Sequence, residues 1–164
     1  MGLRTFFNML GPIVNPAKPA YQLIGVYNLE MARLYNYAMQ SLGNEFTLIH
    51  SLDGYDEISL TSDTKIISNK GVYIMTPYQL GKRKVFPEEL YGGNTVEAAA
   101  DIFKKIIQGK GSWSQNAVVL ANAAMALQVT GQFENYEAAF QAAVKSLESG
   151  AANNCLNQLI SLQK

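Results

Sequence analysis

Asp56 and Glu57 are the residues whose types best suit them to chemistry: adjacent carboxylates just beyond Gly54, in the acidic, turn-rich stretch 52–63. Neighbouring carboxylates on a turn suit a hard divalent cation such as Mg²⁺, which takes oxygen ligands and often shares them with phosphate. The competing reading is an ordinary solvated turn, and composition alone favours it. Asp53 either joins the pair or forms an Asx-turn with Gly54. His50, the single histidine, stands beside this loop as an acid or base, or as a core residue satisfied by backbone, which is the commoner case. Arg4 has the planar fork that pairs bidentately with a carboxylate or phosphate, though a lone arginine near a terminus is usually a surface charge. The run Lys82-Arg83-Lys84 offers phosphate contacts or simply a solvated loop. Neither a Walker loop nor a Gly-x-Gly-x-x-Gly pattern occurs.

These residues need a scaffold. The opening stretch carries Pro12, Pro16 and Pro19 among large apolar side chains, and reads as a stiff, buried loop forming one wall of a pocket. A strand over 22–27 follows. Asn28 caps a helix whose apolar residues Leu29, Ala32, Leu34, Tyr35, Ala38, Met39 and Leu42 recur at helical spacing, and Gly43 supplies its stop. A second strand over 46–51 completes a β, α, β unit with a right-handed parallel crossover. The acidic loop then lies at a strand's carboxyl end, where open α/β sheets bind ligands. Strands at 64–69 and 72–76 meet in a hairpin turn at Asn69-Lys70-Gly71. Residues 78–93 are irregular apart from a short helix at 87–90.

Helices fill the remainder. Asn94 with Glu97 forms a capping box for a helix buried along Val96, Ala99, Phe103, Ile106 and Ile107 and ended near Gly109. Ser112 with Gln115 opens an alanine-rich helix over 116–129 that should be enclosed by close neighbours. Asn135 starts another, stopping at Ser149-Gly150, and 151–163 form the last. The expected class is α/β: a partial mixed, mainly parallel sheet with a hairpin, packed by helices, in a single domain over 1–164.

The totals narrow the function. The chain has 164 residues, 48% hydrophobic and 16% charged, enough to bury a core. Basic and acidic residues balance at 13 each, which argues against nucleic acid as a partner. A single cysteine, Cys155, excludes an internal disulfide and fits a reducing compartment. It lies beside no histidine, as a small core residue would. The apolar runs fall far short of the ~20 residues that span a bilayer, so a soluble cytoplasmic protein with no membrane association is expected. Met1-Gly-Leu-Arg leads abruptly into apolar sequence, which suggests a start inside a larger fold.

Three segments in order carry a family likeness. Arg4-Thr-Phe-Phe-Asn-Met-Leu-Gly-Pro-Ile-Val-Asn-Pro-Ala with Tyr21-Gln-Leu-Ile-Gly-Val-Tyr closely resembles the Arg-Thr-x-Phe-Asn-x-Leu-Gly-Pro-Leu-x-Asn-Pro-Ala and Gln-Leu-x-Gly-Val segment of anthranilate phosphoribosyltransferases. His50-Ser-Leu-Asp-Gly-Tyr-Asp-Glu-Ile-Ser resembles their His-Gly-x-x-Gly-x-Asp-Glu-x-Ser loop, with Ser51 in place of the usual glycine. Asn116-Ala-Val-Val-Leu-Ala-Asn-Ala-Ala-Met-Ala-Leu is similar to an alanine-rich helix near their C-terminus. The family's Gly-Thr-Gly-Gly-Asp, Asn-x-Ser-Thr and Lys-His-Gly-Asn-Arg stretches do not occur. The resemblance therefore implies the C-terminal portion of a longer two-domain enzyme of the nucleoside phosphorylase/phosphoribosyltransferase fold type.

That resemblance implies transfer of phosphoribosyl from 5-phosphoribosyl 1-diphosphate to anthranilate, with Mg²⁺ as cofactor and release of pyrophosphate, in tryptophan biosynthesis. It assigns Mg²⁺ to Asp56 and Glu57, the anthranilate carboxylate to Arg4, and the aromatic substrate's channel to Gly11, Pro12 and Ala17. Without the diphosphate loops the chain alone is expected to be inactive, and its bare edges to make it a homo-oligomer. The rivals are a pyrimidine nucleoside phosphorylase-like domain and a non-catalytic, nucleic-acid-binding relative. The acidic pair and the Asn-Pro-Ala loop weigh against the first, and the neutral charge against the second.

Overall fold

A computed structural model describes residues 10–163. Its sheet has the order β1 (Tyr21–Gly25), β2 (Glu45–Ser51), β3 (Thr64–Ser68), β4 (Gly71–Met75). β1 and β2 run parallel, in register from Tyr21 opposite Glu45 to Gly25 opposite Ile49. The other two pairings are antiparallel. The sheet is thus mixed, and the expectation that it is mainly parallel is corrected. After β2 the chain returns through the acidic loop 52–63 into β3, and a two-residue turn at Asn69-Lys70 sends it into β4, so no helical crossover intervenes.

The parallel pair is joined by α1 (Leu29–Leu42), with Asn28 Oδ1 accepting from Met31 N at 2.8 Å and Gly43 in the left-handed conformation at φ 73°. α1 covers one face of the sheet. Met31, Ala32, Tyr35 and Met39 pack there on Ile24, Phe46, Leu48 and Ile67, while Leu29, Leu34 and Leu42 point outward. The other face takes α4 (Trp113–Val129), whose Ala117, Ala121 and Met125 meet Ile49, Ile58, Leu60 and Ile66. Side chains alternate along a strand, so β2 is buried on both sides, with Phe46 and Leu48 toward α1 and Ile49 toward α4. Truncating fully buried Met39 to alanine would cost about 2–5 kcal/mol.

α5 (Tyr136–Glu148) packs against α4 through Ala124, Ala139 and Phe140. Tyr136 Oη donates to Leu80 O at 2.8 Å, with Ala121 O 3.2 Å away, tying α5 to α4 and to the short helix α2 (Pro77–Gly81). Burial of this phenol, reinforced by nearby Glu137, holds its pKa far above the ordinary tyrosine value. α2 lies in the stretch expected to be irregular. Its capping box, Thr76 with Gln79, and Pro77 at the first position explain it.

Four expectations change. α3 (Val96–Ile107) has no buried residue, and Val96 and Phe103 are 81% and 50% exposed. Its cap is Thr95, whose side chain accepts from Ala98 N, while Asn94 accepts from the Tyr91 hydroxyl. α4 is only partly enclosed, since Trp113 and Val119 remain exposed. α6 (Ala151–Leu162) also has no buried residue. Cys155 on α6 is exposed and so does not sit in a core. Among the described residues, no helix is long and apolar enough to cross a membrane.

Candidate functional site

The acidic loop leaves the carboxyl end of β2 at Ser51. Gly54 N donates back to Ser51 O at 2.9 Å and Ser51 N to Tyr55 O at 3.0 Å, closing a tight exposed turn, with Gly54 at φ 103°. Asp56 and Glu57 follow, both exposed, and the chain then dives into the core at fully buried Ile58 and Leu60. The two carboxylates therefore stand where solvent meets the packed interior.

Three elements meet three consecutive residues here, one by close approach and two by hydrogen bonds. Gly25, at the end of β1, lies under Asp56: a Cβ at Gly25 would stand 1.6 Å from Asp56 O. Ser51 Oγ donates to Glu57 O at 2.6 Å and accepts from Ser59 N at 3.2 Å. Asn122, on α4, accepts from Ile58 N at 3.0 Å and donates to Ile58 O at 2.9 Å. Beyond them, Leu60 holds the left-handed φ of 59°, costly for a branched side chain, with its carbonyl accepting from Val85 N. Gly81 makes room for it, since a Cβ there would come within 2.4 Å of the leucine.

Burial first, and the neighbouring Asp56 charge second, push the Glu57 carboxyl above its ordinary value. The ionised form of Glu57 would therefore gain from a nearby cation. Asp53 does not join the pair. It accepts from Thr61 Oγ1, which in turn lies 2.7 Å from Ser59 Oγ. Among the described residues no group of three or more His, Cys, Asp or Glu gathers at a metal-binding spacing. Two oxygen-bearing groups in a solvated position nevertheless fit Mg²⁺, which keeps several waters and is commonly held by one or two carboxylates plus substrate phosphates.

His50 is buried, and its Nδ1–H donates to Val26 O at 2.8 Å, the satisfied core histidine. The basic run is largely committed elsewhere. Lys82 pairs with Glu137 at 3.0 Å, and Arg83 pairs with Glu89 at 2.8 Å and stacks 4.2 Å from the Trp113 ring centre. Hydrogen bonds from Ser114 and Phe86 N, with Arg83 adding less, hold Glu89 below the usual carboxylate range.

The described part of the opening loop, from residue 10 on, is not the buried wall its composition suggested. Gly11, Val14, Asn15, Pro16 and Ala17 are exposed. Short turns satisfy its backbone locally: Ile13 N and Val14 N donate to Leu10 O, Lys18 N to Asn15 O, and Ala17 N to Asn15 Oδ1. Pro12 does line a cleft of about 440 Å³, with Asn15, Pro19 and residues 21–25 of β1. Gln22 Nε2 donates to Pro12 O at 3.0 Å, while its buried Oε1 has no partner among the described residues. Gly25 ends this cleft and carries Asp56 above it, so the fold joins Pro12 to the acidic pair through β1. Gly11 and Ala17 are not among the cleft's lining residues, and Arg4 lies outside the described residues.

Gly25 and Asn122 were not singled out from sequence, and Ser51 was noted only as standing in place of a glycine. The available signal was Asn122 itself, a polar side chain in an apolar helix, which demands a partner when buried.

Comparison with known proteins places these features in context. The family described as "Glycosyl transferase family, a/b domain" matches residues 1–153. An anthranilate phosphoribosyltransferase of Flavobacterium johnsoniae is 48% identical over 159 residues, covering 97% of this chain and 48% of that enzyme. The crystal structure of the Thermus thermophilus anthranilate phosphoribosyltransferase superposes with a TM-score of 0.87 at 28% identity, over 98% of this chain and 48% of that one. The Saccharomyces cerevisiae enzyme in complex with PRPP and Mg, at 21% identity and TM-score 0.75, covers 85% of this chain and 40% of that one and shares the fold. The chain thus spans about half the length of the relatives it matches.

Proposed function

The chain belongs to the glycosyl transferase family of α/β domains, and we propose that it is the C-terminal portion of an anthranilate phosphoribosyltransferase. In the whole enzyme, phosphoribosyl passes from 5-phosphoribosyl 1-diphosphate to the anthranilate amine. The bond from the anomeric carbon to pyrophosphate breaks, its electron pair leaves with pyrophosphate, and the amine nitrogen forms the new bond and gives up a proton.

One observation carries this reading: Asp56 and Glu57 stand exposed on a loop whose backbone is held at three successive residues. Such a pair would hold Mg²⁺ with little reorganisation, and the elevated Glu57 marks it as short of positive charge. Mg²⁺ bound there would neutralise charge gathering on the departing pyrophosphate. The cleft beside Pro12 supports placing the aromatic substrate along β1, while the assignment of Gly11 and Ala17 to its channel rests on the motif alone. The assignment of Arg4 to the anthranilate carboxylate rests on the motif alone. Self-association is supported by the open β4 edge, where Val72 and Ile74 are more than half exposed.

A chimera tests this function. Replacing the matched half of the Flavobacterium johnsoniae enzyme with this chain should give a protein that makes phosphoribosyl-anthranilate, whereas the chain alone makes none. Asp56→Asn with Glu57→Gln in the chimera should lower turnover by about two to three powers of ten. A folded chimera without transferase activity, or one that cleaves pyrimidine nucleosides with phosphate instead, contradicts the proposal.

A further inference from the structure

We propose that Asn122 is a positioning residue for the acidic pair: reaching from α4, its amide fixes the backbone of Ile58 and thereby sets where Asp56 and Glu57 stand. The inference rests on the metal-holding role given to that pair above.

A single side chain satisfies both polar backbone groups of one residue, with Oδ1 accepting from Ile58 N at 3.0 Å and Nδ2 donating to Ile58 O at 2.9 Å. The second Nδ2 proton goes to Val118 O at 2.9 Å, one turn back on α4. This third bond fixes the amide's orientation. A flipped amide would set its donors against Ile58 N–H and its oxygen against two carbonyls. An asparagine in the alanine-rich face of α4 has no local reason to be there. Such residues disfavour helix interiors, and partial burial of an amide costs free energy unless it is bonded. Its partner is 64 residues away in sequence, in the one loop that carries the candidate ligands.

The direction of the grip matters as much as its strength. On the sheet side, Gly25 lets Asp56 pack close at the end of β1 and Ser51 bonds Glu57 at the end of β2. Asn122 alone of the three comes from the helical layer. Without it the loop keeps its contacts to Ser51 and Val85 but loses both bonds to Ile58, the residue that directly follows Glu57. Outer contacts of this kind typically contribute 10–100-fold to metal affinity.

Asn122→Ala tests the inference through two readouts, amide hydrogen exchange at Ile58 and Mn²⁺ affinity followed by electron paramagnetic resonance. Ile58 exchange should become at least about tenfold faster and Mn²⁺ binding about 10–100-fold weaker. Thr95→Ala, which removes the cap bond to Ala98 N on α3, a helix with no buried residue, serves as the structural control and should leave both readouts within about twofold. If Asn122→Ala does not fold, Asn122→Gln, which keeps the amide but shifts it by one methylene, should show the same directions of change. Unchanged Ile58 exchange would overturn the clamp. Faster exchange with unchanged Mn²⁺ affinity would overturn its positioning role. If Asp56→Asn with Glu57→Gln leaves Mn²⁺ binding intact, the metal-holding reading itself fails, and this inference with it.

Discussion

The acidic loop and the opening loop are both irregular, yet they are held in opposite ways. Residues 10–20 satisfy themselves through short turns, with Asn15 bonding Ala17 and Leu10 O accepting twice, and Ile13 is the side chain that packs on the core. Residues 52–61 are tied to distant elements: Gly25 from β1, Ser51 from β2 and Asn122 from α4. Prolines stiffen a chain locally, but only long-range contacts fix it relative to a second group. Chemistry that depends on position therefore belongs to the second loop, while the first supplies a surface.

The largest effect that separates the two loops comes from Gly25→Ala. The new methyl would stand 1.6 Å from Asp56 O, and backbone cannot yield as a flexible side chain does. We expect a loss of about 1–3 kcal/mol in urea unfolding, together with loss of Mn²⁺ binding. Wild-type stability and affinity in this variant would break the comparison. At the small end stands Asn15→Ala, which removes an exposed local bond to Ala17. It should cost no more than about 0.5 kcal/mol and leave Mn²⁺ binding unchanged. A larger cost than that of Gly25→Ala would invert the comparison.

How much of this was legible in the sequence follows from the range of each interaction. The Asn28 cap, the Gly43 stop, the Asn69-Lys70-Gly71 turn and the Ser112 and Gln115 box all act within a few residues and were readable. The acidic pair was visible as residue types, and the family likeness supplied its role. Asn122 was not, because its partner lies 64 residues away. Periodicity in α3 and α6 marked an apolar face correctly but says nothing of what covers it, and the described residues leave both helices without a buried residue. The opening loop misled for a related reason. Its apolar composition implied burial, whereas over residues 10–18 short turns and the Asn15 side chain satisfy the backbone in solvent.

The central claim is that Asp56 and Glu57 form a divalent-cation site, and Mn²⁺ titration by electron paramagnetic resonance tests it most directly. Glu57 is raised in the folded state by burial and by Asp56. The stability it contributes is present below the ordinary carboxylate range and is lost as pH rises through its elevated folded value. Saturable binding is therefore expected at neutral pH, weakening as pH falls through the Glu57 titration, and at least tenfold weaker in Asp56→Asn with Glu57→Gln. Binding that survives the double substitution, or that strengthens as pH falls, would contradict the account.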